Sequence, residues 1–206
     1  MATNPRSRRA MPLAAALEVL AARRRNEIVV TTMGSAREWP RCSKHALDFH
    51  YLPSAMGHAP MLGLGLALAR GERDVIVLNG DGCMLMSLGC LVTVVASAAA
   101  NYTLVVLDNG IYEVTGGQAT PAGATDFAAM ARAAGFATVA AFDDLARWQS
   151  SAAGILAAPG PRFISLRVEP VGDDYQLPAP RPMSQRIAEF RQALAQAPTP
   201  LPNQDG

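Results

Sequence analysis

Cysteine, aromatic side chains and net charge are all scarce in this sequence. Its three cysteines, Cys42, Cys83 and Cys90, form no C-x-x-C pair and leave one unmatched, which argues against a disulfide framework and against a cysteine-built zinc site. A reducing, cytoplasmic setting fits that usage. Charged residues make up 17% of the 206 and balance to +1, so the total carries neither a nucleic-acid footprint nor a field for acidic substrates. Small molecules or other proteins are the expected partners. No run of about eighteen apolar residues is free of turn signals, so no membrane-spanning segment is expected. The N-terminus also lacks the basic-then-apolar order of a secretory signal.

What remains is a chain that is 50% hydrophobic, enough for one domain with a well-buried core. Residues 1–11, with Arg6, Arg8 and Arg9, read as a disordered N-terminus, residues 12–170 as the domain, and residues 171–206 as a proline-rich extension with a short helix over Ser184 to Ala195. Leu13, Leu17 and Leu20 recur at helical spacing, and the β-branched run Glu27 to Thr32 reads as a buried strand. The stretch from Met33 to Pro53 reads as a long polar and aromatic loop, of the kind that often carries function. Beyond it helices and strands alternate: helix from about His58 to Arg70, strand Val75 to Leu78, helix from about Cys83 to Ala99, and strand Thr103 to Leu107. After the glycine-rich segment Gly110 to Gly123 come a helix near Asp126 to Ala134, a weaker strand Ala137 to Ala140, a helix near Asp143 to Ala157, and a strand Phe163 to Val168. Five apolar strands separated by helices predict an α/β fold, a doubly wound, mainly parallel sheet with helices on both faces.

Two of the predicted strand ends are chemically loaded. Val77-Leu78 runs into Asn79-Gly80-Asp81-Gly82-Cys83, where two glycines let the backbone turn around one carboxylate. Val106-Leu107 runs into Asp108-Asn109-Gly110-Ile111-Tyr112. In a doubly wound sheet ligands bind beyond the carboxyl ends of the strands, so these neighbouring loops are placed to share a cation held by Asp81 and an anionic group beside it. Gly-Asp-Gly alone is equally an ordinary turn, and Met56 before a helix is equally core filling. No G-x-G-x-x-G follows the first strand, which disfavours a nicotinamide-binding domain.

The pairing of these loops resembles the thiamine-diphosphate motif. By that resemblance Asp81, Asn109 and the carbonyl of Ile111 would bind Mg2+, with Gly80, Gly82, Cys83 and Tyr112 beside the diphosphate. The segment Ser54-Ala55-Met56-Gly57-His58-Ala59 resembles the one that precedes Gly-Asp-Gly in the decarboxylase branch of the family. There Met56 would be the wedge that bends the cofactor so that its 4′-imino nitrogen approaches C2, and the Ser54 carbonyl would accept from its 4′-amino group. Together with Thr31 to Glu38 and Leu107 to Gln118, these residues look most like the sulfopyruvate and phosphonopyruvate decarboxylase group. Cys83 departs from the usual serine or alanine, which puts a hydroxyl contact to diphosphate in doubt.

The resemblance also exposes a gap. The family needs a glutamate against N1′ of the aminopyrimidine, on a pyrimidine-binding domain that nothing in this sequence resembles. A separate pyrimidine-binding subunit is therefore expected, in an assembly of at least α2β2 acting on a small 2-oxo acid. His50, His58 and Glu113 are the candidate catalytic residues on the substrate side, and Arg37 either meets an anionic group or pairs with Glu38 or sits in water. The alternatives are a carboligase or 2-oxoacid oxidoreductase half, or a regulatory subunit that binds the cofactor without turnover.

Overall fold

The computed structural model describes residues 10–51, 55–171 and 181–196. Met11 is 2% exposed and bridges to Val168, its amide donating to the Arg167 carbonyl at 3.1 Å, so it belongs to the domain and not to a disordered tail. Helix α1 (Leu13–Ala21) buries Ala16, Leu17 and Leu20, and β1 (Ile28–Thr31) is buried along its length. The expected loop after β1 instead holds two elements, α2 (Gly34–Cys42) and the three-residue strand β2 (Asp48–His50). Polar composition and Pro40 hide α2 in the sequence, and tertiary packing of Trp39, 1% exposed, overrides them. The strand β2 exists through its ladder to β1, with Thr31 opposite His50.

Helix α3 (Ala59–Ala69) follows, and Gly63 lets it lie close to the sheet, since a Cβ there would stand 2.1 Å from a Val77 methyl. Next come β3 (Val75–Gly80) and α4 (Asp81–Leu85), then α5 (Cys90–Ala96). The single helix expected over Cys83 to Ala99 is thus broken at 86–89, where Ser87 and Gly89 are weak helix formers. The chain continues through β4 (Tyr102–Asp108) into a small antiparallel ribbon of β5 (Ile111–Tyr112) and β6 (Gln118–Ala119). It ends with α6 (Phe127–Ala134), β7 (Thr138–Phe142), α7 (Leu145–Ala157), β8 (Arg162–Arg167) and α8 (Met183–Ala195).

The main sheet has six strands in the order β2-β1-β3-β4-β8-β7, all parallel, one strand more than the sequence predicts. Alternate residues of each strand face opposite ways. Val75 and Val77 pack with α3, α5 and α6, whereas Ile76 and Leu78 pack with α1, α2 and α7. The doubly wound class therefore holds. The chain moves outward from β1 to β2 and then returns across β1 to β3, so the direction of winding reverses between β1 and β3. Adjacent loops diverge there and leave a crevice at the carboxyl ends.

Candidate active site

The crevice is occupied by the residues that the two motifs supply. A cleft of about 490 Å3, open mouth included, lies between the loop after β1, with Met33, Gly34 and Ser35, and the turn into α4, with Gly80, Asp81, Gly82 and Cys83. Asn109, Ile111 and Tyr112 form its third side, and Met56 lines it as well. Asp81 is 2% exposed. Its Oδ2 accepts the Thr120 hydroxyl at 2.7 Å and the Gly110 amide at 3.2 Å, which fixes the carboxylate against the second loop. Burial pushes the Asp81 pKa up to about 6, and Asp108 adds to the rise. Among the described residues no basic side chain forms an ion pair with Asp81. A buried carboxylate without a compensating charge is costly, and a cation would offset that cost.

The remaining donors fit such a cation. Asn109 Oδ1 accepts the Ile111 amide at 3.0 Å, folding the loop whose Gly110 amide donates to Asp81, and Asn109 and Ile111 line the same cleft. Carboxylate, carboxamide and backbone carbonyl are hard oxygen donors of the kind Mg2+ prefers. The neighbouring Asp108 is held away from them by Arg167, 2.7 Å across the β4–β8 ladder. One edge of the Tyr112 ring abuts Gly82: a Cβ at Gly82 would be 2.5 Å from one ring carbon and 2.6 Å from the next. Cys83 is 3% exposed and burial raises its pKa, so the thiol stays protonated and adds no negative charge.

The other candidates are spread out. Gly57, at φ +83°, packs under the cleft on Met86 and Ser87, where a Cβ would stand 3.2 Å from each Cβ. His58 precedes α3 and is exposed, and it does not line the cleft. His50 lies elsewhere: it lines a separate cavity between β2 and α8, with Nδ1 2.9 Å from the Thr31 hydroxyl and its carbonyl accepting from Arg186. Glu113 does line the cleft, but its Oε1 accepts the Val171 amide at 2.6 Å, tying the loop to the end of the domain. Its Oε2 stands 2.7 Å from where a Cβ on Gly34 would sit, so a larger residue at 34 would displace the Glu113 carboxylate. Arg37 lies on α2 outside the cleft lining. Ser54 lies outside the described residues. Thr120 is the residue that sequence reasoning misses. It lies within the glycine-rich segment Gly110 to Gly123, and the β5–β6 ribbon brings it back onto Asp81.

Fold and site together define a class: an α/β domain with a cleft, lined by a buried carboxylate and oxygen-bearing loops, at the switch point of a parallel sheet. The family model of the thiamine pyrophosphate enzyme C-terminal TPP-binding domain matches residues 30–166, and the chain belongs to that family. It is 38% identical to a phosphonopyruvate decarboxylase of Streptomyces hygroscopicus over 84% of this chain and 42% of that one. It is 39% identical to a sulfopyruvate decarboxylase subunit beta of Methanothermobacter thermautotrophicus over 72% of this chain and 77% of that one. The chain thus spans about two fifths of the phosphonopyruvate decarboxylase and most of the beta subunit. A putative thiamin diphosphate-dependent enzyme from Mycobacterium smegmatis shares the fold, with a TM-score of 0.65 at 22% identity over 78% of this chain and 32% of that one.

Proposed function

We propose that the chain is the diphosphate- and Mg2+-binding half of a thiamine-diphosphate-dependent 2-oxoacid decarboxylase of the sulfopyruvate and phosphonopyruvate type. The observation that carries this reading is Asp81: a buried carboxylate with no basic partner among the described residues, at the switch point, held by the Gly110 amide in the cleft that Asn109, Ile111 and Met56 also line. Thiamine diphosphate, when bound, supplies an electron sink for the carboxylate-bearing carbon of the substrate. The chain's own residues do the rest. Asp81, Asn109 and the Ile111 carbonyl would hold the metal, the amide end of α2 at Gly34 and Ser35 would face the anionic group, and Met56 would pack against the cofactor. The Tyr112 ring on Gly82 closes one side against water.

The match to a beta subunit over most of its length, and to two fifths of longer relatives, supports a separate pyrimidine-binding chain in an assembly of at least α2β2. Glu113, at the cleft, is the substrate-side residue this reading favours; His58 would act only at the mouth, and His50 supports structure. Three free cysteines, two of them buried, agree with a cytoplasmic setting. Among the described residues no helix is long and apolar enough to cross a membrane.

The test is cofactor retention by the full chain isolated under native conditions. Thiamine diphosphate should bind only with Mg2+, and Asp81→Ala should abolish that binding. Unchanged affinity in the variant would refute the metal assignment. Decarboxylation of 2-oxo acids by this chain alone would refute the two-chain reading.

A further inference from the structure

The Asp81 carboxylate is reached by a three-member chain of hydrogen bonds that starts in the backbone. The Ala122 amide donates to Thr120 Oγ1 at 3.3 Å, and Thr120 Oγ1 donates to Asp81 Oδ2 at 2.7 Å. Since a carboxylate only accepts, and the amide only donates, the direction of both bonds is fixed. The hydroxyl proton is committed to Asp81 and is polarised by the amide behind it. Backbone holds the hydroxyl in place: the Thr120 amide donates to the Gly110 carbonyl at 2.9 Å, and Thr120 caps the short 3-10 turn over Pro121–Ala124. The residue is 8% exposed, so water does not compete for these bonds.

We infer that Thr120 is a positioning residue for the metal site: by holding Oδ2 of Asp81, together with the Gly110 amide, it fixes the carboxylate in one orientation for the cation. This rests on the metal reading above and adds to it a residue that acts through Asp81. Asp81 alone, on the five-residue helix α4, has a rotatable carboxyl group; the second loop locks that rotation. Outer-sphere partners of this kind orient a ligand before the metal arrives, and their loss costs about 10- to 100-fold in metal affinity. Valine at 120 keeps the shape and removes the hydroxyl, whereas serine keeps the hydroxyl and removes a methyl.

The experiment is a Mg2+ titration of the full chain, isolated under native conditions, at saturating thiamine diphosphate, read by the change in intrinsic fluorescence. Wild type, Thr120→Ser, Thr120→Val and Asp81→Ala are compared, with metal-free thermal melts as the fold control. Thr120→Val is expected to raise the Mg2+ dissociation constant by about tenfold or more, with Thr120→Ser within about threefold of wild type. A role confined to packing would move the melt and leave the Mg2+ constant alone. Thr120→Ala, read in the same titration, replaces the valine variant if that protein does not fold. Wild-type Mg2+ affinity without the hydroxyl, or a serine variant as weak as valine, overturns the assignment. Failure of Asp81→Ala to abolish binding overturns the metal site itself, so the two readings fail separately.

Discussion

Gly82→Ala tests how the cleft is closed, because two opposed effects act at one position. Gly82 sits in α4 without a positive φ, so alanine fits its backbone, and glycine to alanine in a helix is worth up to about 1 kcal/mol in stability. Against this, the new methyl would lie 2.5 Å and 2.6 Å from two carbons of the Tyr112 ring, where contact distance is about 3.5–4.0 Å. The ring must move by about 1 Å, and overpacking of this kind costs about 1–3 kcal/mol. Overpacking wins on these magnitudes, so Gly82→Ala should be destabilising by about 1–2 kcal/mol in urea denaturation. Removing the ring should reverse the sign: in a Tyr112→Ala background the nearest remaining atom is the Thr120 methyl, 3.6 Å away at ordinary contact distance, and the substitution should be neutral or stabilising. The coupling energy from this double-mutant cycle should exceed about 1 kcal/mol. A Gly82→Ala effect that is the same with and without Tyr112, or that stabilises the wild-type background, would refute the close contact of the ring edge with the turn.

Three further outcomes follow from buried charge. Asp48 meets Arg24 at 2.5 Å with both side chains under 5% exposed, and also takes the Trp39 indole N–H, the Ser43 hydroxyl and the His45 amide. Asp48→Ala, which strands the guanidinium, should lose about 3–5 kcal/mol in denaturant titration, and an Arg24→Met, Asp48→Ala double variant should recover part of it. His50 has its pKa lowered, first by burial and then by Arg186, so it is neutral in the fold and protonates more readily in the unfolded chain. Its contribution is present above the unfolded value near 6.5 and is lost as pH falls below it, so melting temperature should drop between pH 7.5 and 5.5 and His50→Asn should flatten that slope. His45, also lowered by burial first, leaves a residual slope. Asp81→Asn should melt higher than wild type without Mg2+ and should lose the stabilisation that Mg2+ gives wild type; a lower metal-free melt would mean that the carboxylate is already compensated.

What the sequence makes legible is what lies close together along the chain. The strand ends at Asp81 and Asn109 are each defined within seven residues, because a buried apolar run ending in glycine and a polar side chain has few other readings. The parallel sheet follows from alternation of such runs with helices. The elements that escape are those whose stability is tertiary. Helix α2 carries Pro40 and a polar composition, and β2 has three residues that pair only because β1 is beside them. The break between α4 and α5 is set where Gly57 packs on Met86 and Ser87, from another part of the chain. Thr120 is invisible for the same reason: its partner Asp81 is 39 residues away and only the β5–β6 ribbon joins them.

The same carboxylate that gives the site its chemistry also weakens the domain that carries it. Asp81 is buried beside Asp108, which Arg167 neutralises, while Asp81 itself has only neutral donors, Thr120, Gly110 and Gly82. Hydrogen bonds from neutral groups lower the charge's cost without removing it, as the upward shift of its pKa to about 6 records. A cation at Asp81 and Asn109 would bind the folded chain and not the unfolded one, adding about 2.7 kcal/mol at one hundred times its dissociation constant. The stability of the domain would thereby be linked to metal and cofactor supply, and on that reading substitutions that loosen Asp81 would change the linkage as well as the affinity.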